Sequence, residues 1–147
     1  MLNTNSNNIN VINKVFSDNA PAGIKWLQQS LVSNHYELSN EYANICQQHK
    51  QEKKWVLFIN PEENSIDQLA KSHGIDASKI LMVNYKNNDL NRTNIDLNKI
   101  KTVLSKGNCS AVILSNSLFK TDEIMQLENA ASLGKTHCFL VKQSQIH

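Results

Sequence analysis

The sequence predicts an α/β fold, a mostly parallel sheet flanked by helices. Three observations carry this. Four short apolar runs, at Trp55–Ile59, Ile80–Asn84, Ala111–Ser115 and His137–Val141, start about 25 to 30 residues apart, the length of a βαβ unit. The stretches between them place apolar residues at helical spacing. Three of the four glycines, Gly74, Gly107 and Gly134, stand where those helical stretches should stop. Parallel neighbours need long crossovers, and these are right-handed, so the helices pack on the sheet.

Each element has its own signal. Residues 1–20 are rich in Asn and Ser and read as a disordered tail. Within them Ile9, Val11, Ile12, Val15 and Phe16 form one short apolar face. Gly23–Leu27 is a candidate strand, and Tyr36–His49 reads as a helix with Leu38, Tyr42, Ile45 and Cys46 on one side. WVLFI at 55–59 is a continuous apolar run, the mark of a strand covered on both faces. Ser65 with Gln68 three residues later has capping-box spacing, and Ile66 and Leu69 follow at helical intervals. Leu97, Ile100 and Leu104 give the next helix face. Thr121, followed by Asp122 and Glu123, marks the start of the last helix, where acids suit the dipole. The domain is expected to span 21–143, with a flexible tail at 144–147.

Composition narrows the class. The chain has 147 residues, 40% hydrophobic and 19% charged, which is globular composition for one domain. No apolar run approaches the roughly 18 residues of a membrane span. The N-terminal residues lack the pattern of a secretory signal, so a cytoplasmic protein is expected. Net charge is +2 and the single Arg is Arg92. Nucleic-acid readout favours Arg, whose planar fork binds bidentately, so a nucleic-acid partner is not indicated. Asn occurs 21 times, which we attribute to AT-rich coding.

The usual chemistry of such a sheet is missing. The three cysteines, Cys46, Cys109 and Cys138, form no CxxC and are odd in number. Neither a disulfide framework nor a zinc ribbon follows. Cys46 and His49 share a helix face but cannot close a tetrahedral site alone. His137 and Cys138, adjacent in a strand, point to opposite faces. No metal and no cofactor are expected. Open α/β sheets bind ligands at the carboxyl ends of their strands. Here those ends read Asn60-Pro61-Glu62, Asn84-Tyr85-Lys86 and Ser115-Asn116-Ser117. No GxGxxG, GxxxxGK[ST] or GxSxG occurs. Glu62 and Glu63 are a candidate carboxylate pair, with a solvated turn as the simpler reading.

A set of segments in fixed order resembles the SulA-type cell-division inhibitors. They are KWVLFINP at 54–61, LAKSHGI at 69–75, SKILMV at 78–83, VLSKGNCSAVI at 103–113 and ENAASLGK at 128–135. The resemblance covers residues 52–143. That family is in turn similar to the RecA-type ATPase core, which implies a reduced RecA-like shell. Pro21-Ala22-Gly23 and a short strand resemble the approach to the RecA phosphate loop, but Gln28 to Asn34 then lack its Gly and Lys. The strand Ala111–Ser115 aligns with the Walker-B strand, and it ends in Ser115-Asn116 without the magnesium-binding Asp.

The resemblance implies a non-catalytic inhibitor made in the DNA-damage (SOS) response. It would bind the division GTPase FtsZ, block its polymerisation and delay septation. Family positions implicated in FtsZ binding fall on Lys54, Ile59, Leu69 and Lys79, with Leu69 where the family can carry Trp. Each has a plainer reading as well: Ile59 and Leu69 as core, Lys54 and Lys79 as ordinary exposed residues before strands. Family members can end in His and are substrates of Lon protease, which makes Ile146 and His147 a candidate protease-recognition tail. A homodimer is compatible with the sequence. The alternatives are an ImuA-like, RecA-related accessory protein of damage-induced mutagenesis, a small enzyme with an unrecognised site, and a nucleic-acid binder.

Overall fold

A computed structural model describes residues 25–50, 52–84 and 96–144. The expectations for residues 1–20, for Gly23 and for Ile146 and His147 lie outside them. Five strands form one all-parallel sheet: β1 (Leu27–Val32), β2 (Trp55–Ile59), β3 (Ile80–Val83), β4 (Cys109–Ser115) and β5 (His137–Gln143). Their spatial order is β1-β5-β4-β2-β3. Four helices connect them: α1 (His35–Gln48), α2 (Glu63–His73), α3 (Leu97–Lys106) and α4 (Thr121–Gly134).

This order dictates where the helices go. The chain steps one way along the sheet from β1 to β2 to β3, then back through β4 to β5. Right-handed crossovers therefore place α1 and α2 on one face and α3 and α4 on the other. The packing agrees. Leu38, Tyr42, Ile45 and Leu69 pack with Val56, Phe58, Ile113 and Val141. Ile100, Leu104, Leu127 and Ala131 pack with Leu57, Ile59, Val112 and Leu114. Alternate residues of β2 and β4 thus serve opposite faces, as a period of two requires. All seven residues of the central β4 are buried. The edge strands are not: β1 exposes Gln28 and Gln29, and β3 exposes Leu81, Met82 and Val83.

The predicted elements stand where expected, with boundaries that differ for physical reasons. The first strand is Leu27–Val32, not Gly23–Leu27. Its middle is polar because it lies at the sheet edge, held by backbone pairing to β5. Ser65 does not cap α2; Glu62 does, accepting at 2.8 Å from both the backbone N–H and the hydroxyl of Ser65. Thr121 is the first residue of α4 rather than its cap. Lys120 takes that place, its N–H donating to the Glu123 carboxylate at 2.8 Å. Gly74 and Gly107 have the left-handed conformation expected past a helix end. Gly134 is needed for another reason. A Cβ there would stand 1.8 Å from the Leu104 carbonyl oxygen, so the glycine lets α4 touch the end of α3. The left-handed residue after α4 is Lys135.

Candidate functional site

At the carboxyl ends of β2 and β4 the chain departs in opposite directions, to α2 on one face and α4 on the other. Such a switch point is where an open α/β sheet normally holds its ligand. Asn60 and Asn116 turn the chain there in left-handed conformations, with φ of 52° and 54°. The crevice is filled from within. Tyr42 of α1, with no exposed surface, reaches the strand ends. Its hydroxyl lies 2.6 Å from the Ser115 hydroxyl and accepts the Glu62 N–H at 3.2 Å. The Phe58 ring meets it edge-on, with centroids 4.8 Å apart. Burial raises the Tyr42 pKa, so the phenol stays protonated and acts as a neutral tie.

The place where a phosphate loop would stand is closed too. Segment 28–34, expected as a stripped loop, is strand as far as Val32. Only Ser33 and Asn34 separate β1 from α1. The Asn34 side chain accepts from Glu37 N–H at 3.0 Å, and the Glu37 carboxylate accepts from Ser33 N–H at 2.7 Å. This reciprocal cap satisfies the Glu37 N–H of the helix and the Ser33 N–H before it with the chain's own groups. The Glu62–Glu63 pair resolves into a cap and an exposed first-turn residue. Partial burial pushes the Glu62 carboxyl up, but hydrogen bonds from Ser65 and Asn64 and the nearby His35 pull it further, leaving it below its ordinary value. His35 Nδ1 lies 3.3 Å from its carboxylate.

The opposite end of the sheet is open. A hollow of about 410 Å³ lies where α1 and α2 end and β2 and β3 begin. Cys46, Val56, Ile75 and Ile80 give it an apolar floor. Lys50, Lys54 and Lys79 stand around it with Glu52 and Asp76. Both carboxylates are engaged: Glu52 meets His49 Nδ1 at 2.7 Å, and Asp76 accepts the Ser78 N–H at 2.9 Å. Among the described residues no ammonium of these three lysines has an ion-pair or hydrogen-bond partner.

The structure therefore separates the four predicted partner-binding residues. Lys54 and Lys79 are exposed and meet at the hollow. Ile59 and Leu69 are each 3% exposed, and they lie on opposite faces of the sheet. Neither offers a side chain to a partner in this conformation. Lys50 and Glu52 went unmarked in the sequence, because nothing local places the end of α1 at the same hollow as the start of β3. The Tyr42 tie was also missed, since its spacing marks only an apolar helix face. The Asn34/Glu37 cap was readable, as an Asn followed three residues later by Glu.

The thiols are chemically quiet. Burial pushes Cys46 up to about 11 and Cys138, helped by the Glu128 charge, to about 12. Cys109 is raised by burial against the opposing charge of Lys54. All three are free and buried, small hydrophobes in the core. His49 is buried with its Nδ1 committed to Glu52, and its ring packs 5.2 Å from that of His137. Among the described residues no three metal-ligating side chains come together, and no helix is long and apolar enough to cross a membrane.

An all-parallel sheet between two helix pairs, with the crevice between β2 and β4 filled by its own side chains, makes this an α/β shell whose sequence carries no Gly-rich phosphate loop. Among solved structures, the fold is that of SulA from Pseudomonas aeruginosa. The two match with a TM-score of 0.63 at 18% identity, over 80% of this chain and 98% of that one. No protein-family model matches the sequence, and no curated protein matches it.

Proposed function

We propose that this chain is a non-catalytic, SulA-type inhibitor that binds FtsZ and prevents its polymerisation. The observation that carries the reading is the contrast between the two ends of a SulA-like sheet. The crevice between the carboxyl ends of β2 and β4 is tied shut through Tyr42, while Lys54 and Lys79, the exposed pair of the family-implied positions, line an open hollow at the other end. FtsZ subunits add head to tail, a heterologous contact that propagates a filament. A protein covering one such face caps or sequesters subunits. Its potency then follows affinity and stoichiometry, not turnover, and FtsZ GTPase activity falls because subunit contacts are lost. In this reading the protein acts in the cytoplasm during the DNA-damage response, and Ile146 and His147 direct it to Lon.

The test is assembly of FtsZ from the same organism with GTP, followed by light scattering and pelleting as the protein is titrated. Loss of polymer near one equivalent supports the reading. Unchanged assembly with folded protein shifts the weight to an ImuA-like role with a polymerase or recombinase partner. Magnesium-dependent ATP hydrolysis by the purified chain would contradict the closed crevice.

A further inference from the structure

We infer that the hollow at the amino end of the sheet receives an acidic segment of the protein partner, with a carboxylate between Lys50, Lys54 and Lys79 and a neighbouring apolar side chain on the floor. The inference deepens the proposed function and rests on its reading of this hollow as the partner surface. It adds Lys50 to the contact and names the chemistry of what enters.

Three features decide that chemistry. Lys50, Lys54 and Lys79 line the space with no ion pair or hydrogen bond to their ammoniums among the described residues, and Glu52 and Asp76, the latter within reach of the Lys79 charge, leave the five groups with a net charge of one positive unit. A monoanionic carboxylate supplies the missing countercharge. Helices α1 and α2 present their carboxyl ends here, carrying partial negative charge. With three lysines against two carboxylates and that field, the hollow balances a monoanion and not a dianionic phosphate, which helix amino ends would favour. The floor of Val56, Ile75, Ile80 and Cys46 is apolar and suits a hydrophobic side chain next to the acid. A nucleic-acid backbone would leave that floor empty, and among the described residues no Arg lines it for bidentate phosphate contacts.

The test uses the full chain and a blocked hexapeptide carrying two Glu flanked by Leu, compared with its Gln counterpart. Binding is followed by amide NMR shifts. The expected result is saturable shifts at Val56, Ile75, Asp76 and Ile80 with the Glu peptide, weakening as salt is raised. Lys50→Glu, Lys54→Glu and Lys79→Glu should each reduce affinity about tenfold or more, while Lys→Arg at the same sites retains it. Lys101→Glu, on α3 of the other face, should change nothing. Equal binding of the Gln peptide, or no shift at millimolar Glu peptide, overturns the inference. The two claims fail separately. If the Glu peptide binds but FtsZ assembly is untouched, the FtsZ reading fails and the acidic-segment site stands. If FtsZ is inhibited but the peptide does not bind and Lys50→Glu inhibits as well as wild type, the converse holds.

Discussion

The two ends of the sheet are built on opposite principles. At the carboxyl end, polar groups pair with each other: Tyr42 with Ser115 and Glu62, Asn34 with Glu37, Glu62 with Ser65. At the amino end, charged groups stand around an apolar floor, and three of them, Lys50, Lys54 and Lys79, have no ion-pair partner among the described residues. The carboxyl end thus spends its side chains on stability, and the amino end leaves them available for binding. In the proposed reading the shell loses its ligand site and keeps a binding surface, because the two lie at opposite ends of the strands.

Opening the closed end should give the largest effect. Tyr42→Ala removes a fully buried ring against Phe58 and leaves Ser115 and the Glu62 N–H without their partner. Truncating a large buried aromatic costs about 3–5 kcal/mol, measured by urea unfolding. A loss below about 1 kcal/mol would mean the strand ends hold together without the tie. Tyr42→Phe isolates its polar part. The ring remains, but the buried Ser115 hydroxyl and the part-buried Glu62 N–H lose a partner, at about 1–3 kcal/mol. Adding Ser115→Ala should recover part of that loss, because one orphaned hydroxyl is then gone. A strictly additive double variant would show that the 2.6 Å contact carries no coupling.

At the open end the expectation reverses. Lys54→Glu with Lys79→Glu should alter stability by no more than about 0.5 kcal/mol per site, since both side chains are exposed. FtsZ inhibition should nonetheless fall sharply. Intact inhibition by the folded double variant would remove the hollow from the partner surface. Unfolding would show that these lysines serve the fold after all.

How much of this was legible in the sequence follows the same division. Elements whose information is local were readable. WVLFI is β2 to the residue, and the glycine after each of α2 and α3 takes the left-handed conformation. The edge strand β1 was misplaced because its polar middle carries no burial signal; its pairing with β5 lies more than 100 residues away in sequence. Caps were misassigned where two polar residues competed, as with Glu62 and Ser65. The open site was half visible. Lys54 and Lys79 came from the family resemblance, but their sharing one hollow with Lys50 depends on where the α1 terminus folds. Ile59 and Leu69 were ambiguous between interface and core, and packing places both in the core.

Acid should give the smallest effect, and it should act on the open end first. His137 begins β5 between Trp26, at a ring separation of 4.6 Å, and His49, at 5.2 Å. Its pKa is lowered, first by burial and then by the His49 charge, with Glu52 opposing. A histidine lowered on folding binds its proton more readily in the unfolded chain. Stability is therefore fullest above the unfolded value of about 6.5 and declines as pH falls through and below it. Glu62 belongs to a separate window: its contribution is present above about 4.3 and is lost only below that. The urea midpoint should thus drop modestly between pH 7.5 and pH 5.5, and His137→Phe should flatten that slope. In a Trp55→Phe background, Trp26 fluorescence should be quenched only at lower pH than the onset of that decline, because in the folded chain the imidazolium forms against its ring below the ordinary histidine value. A midpoint that rises on acidification would show that the attraction of the protonated ring to Trp26 outweighs its desolvation and the repulsion from His49.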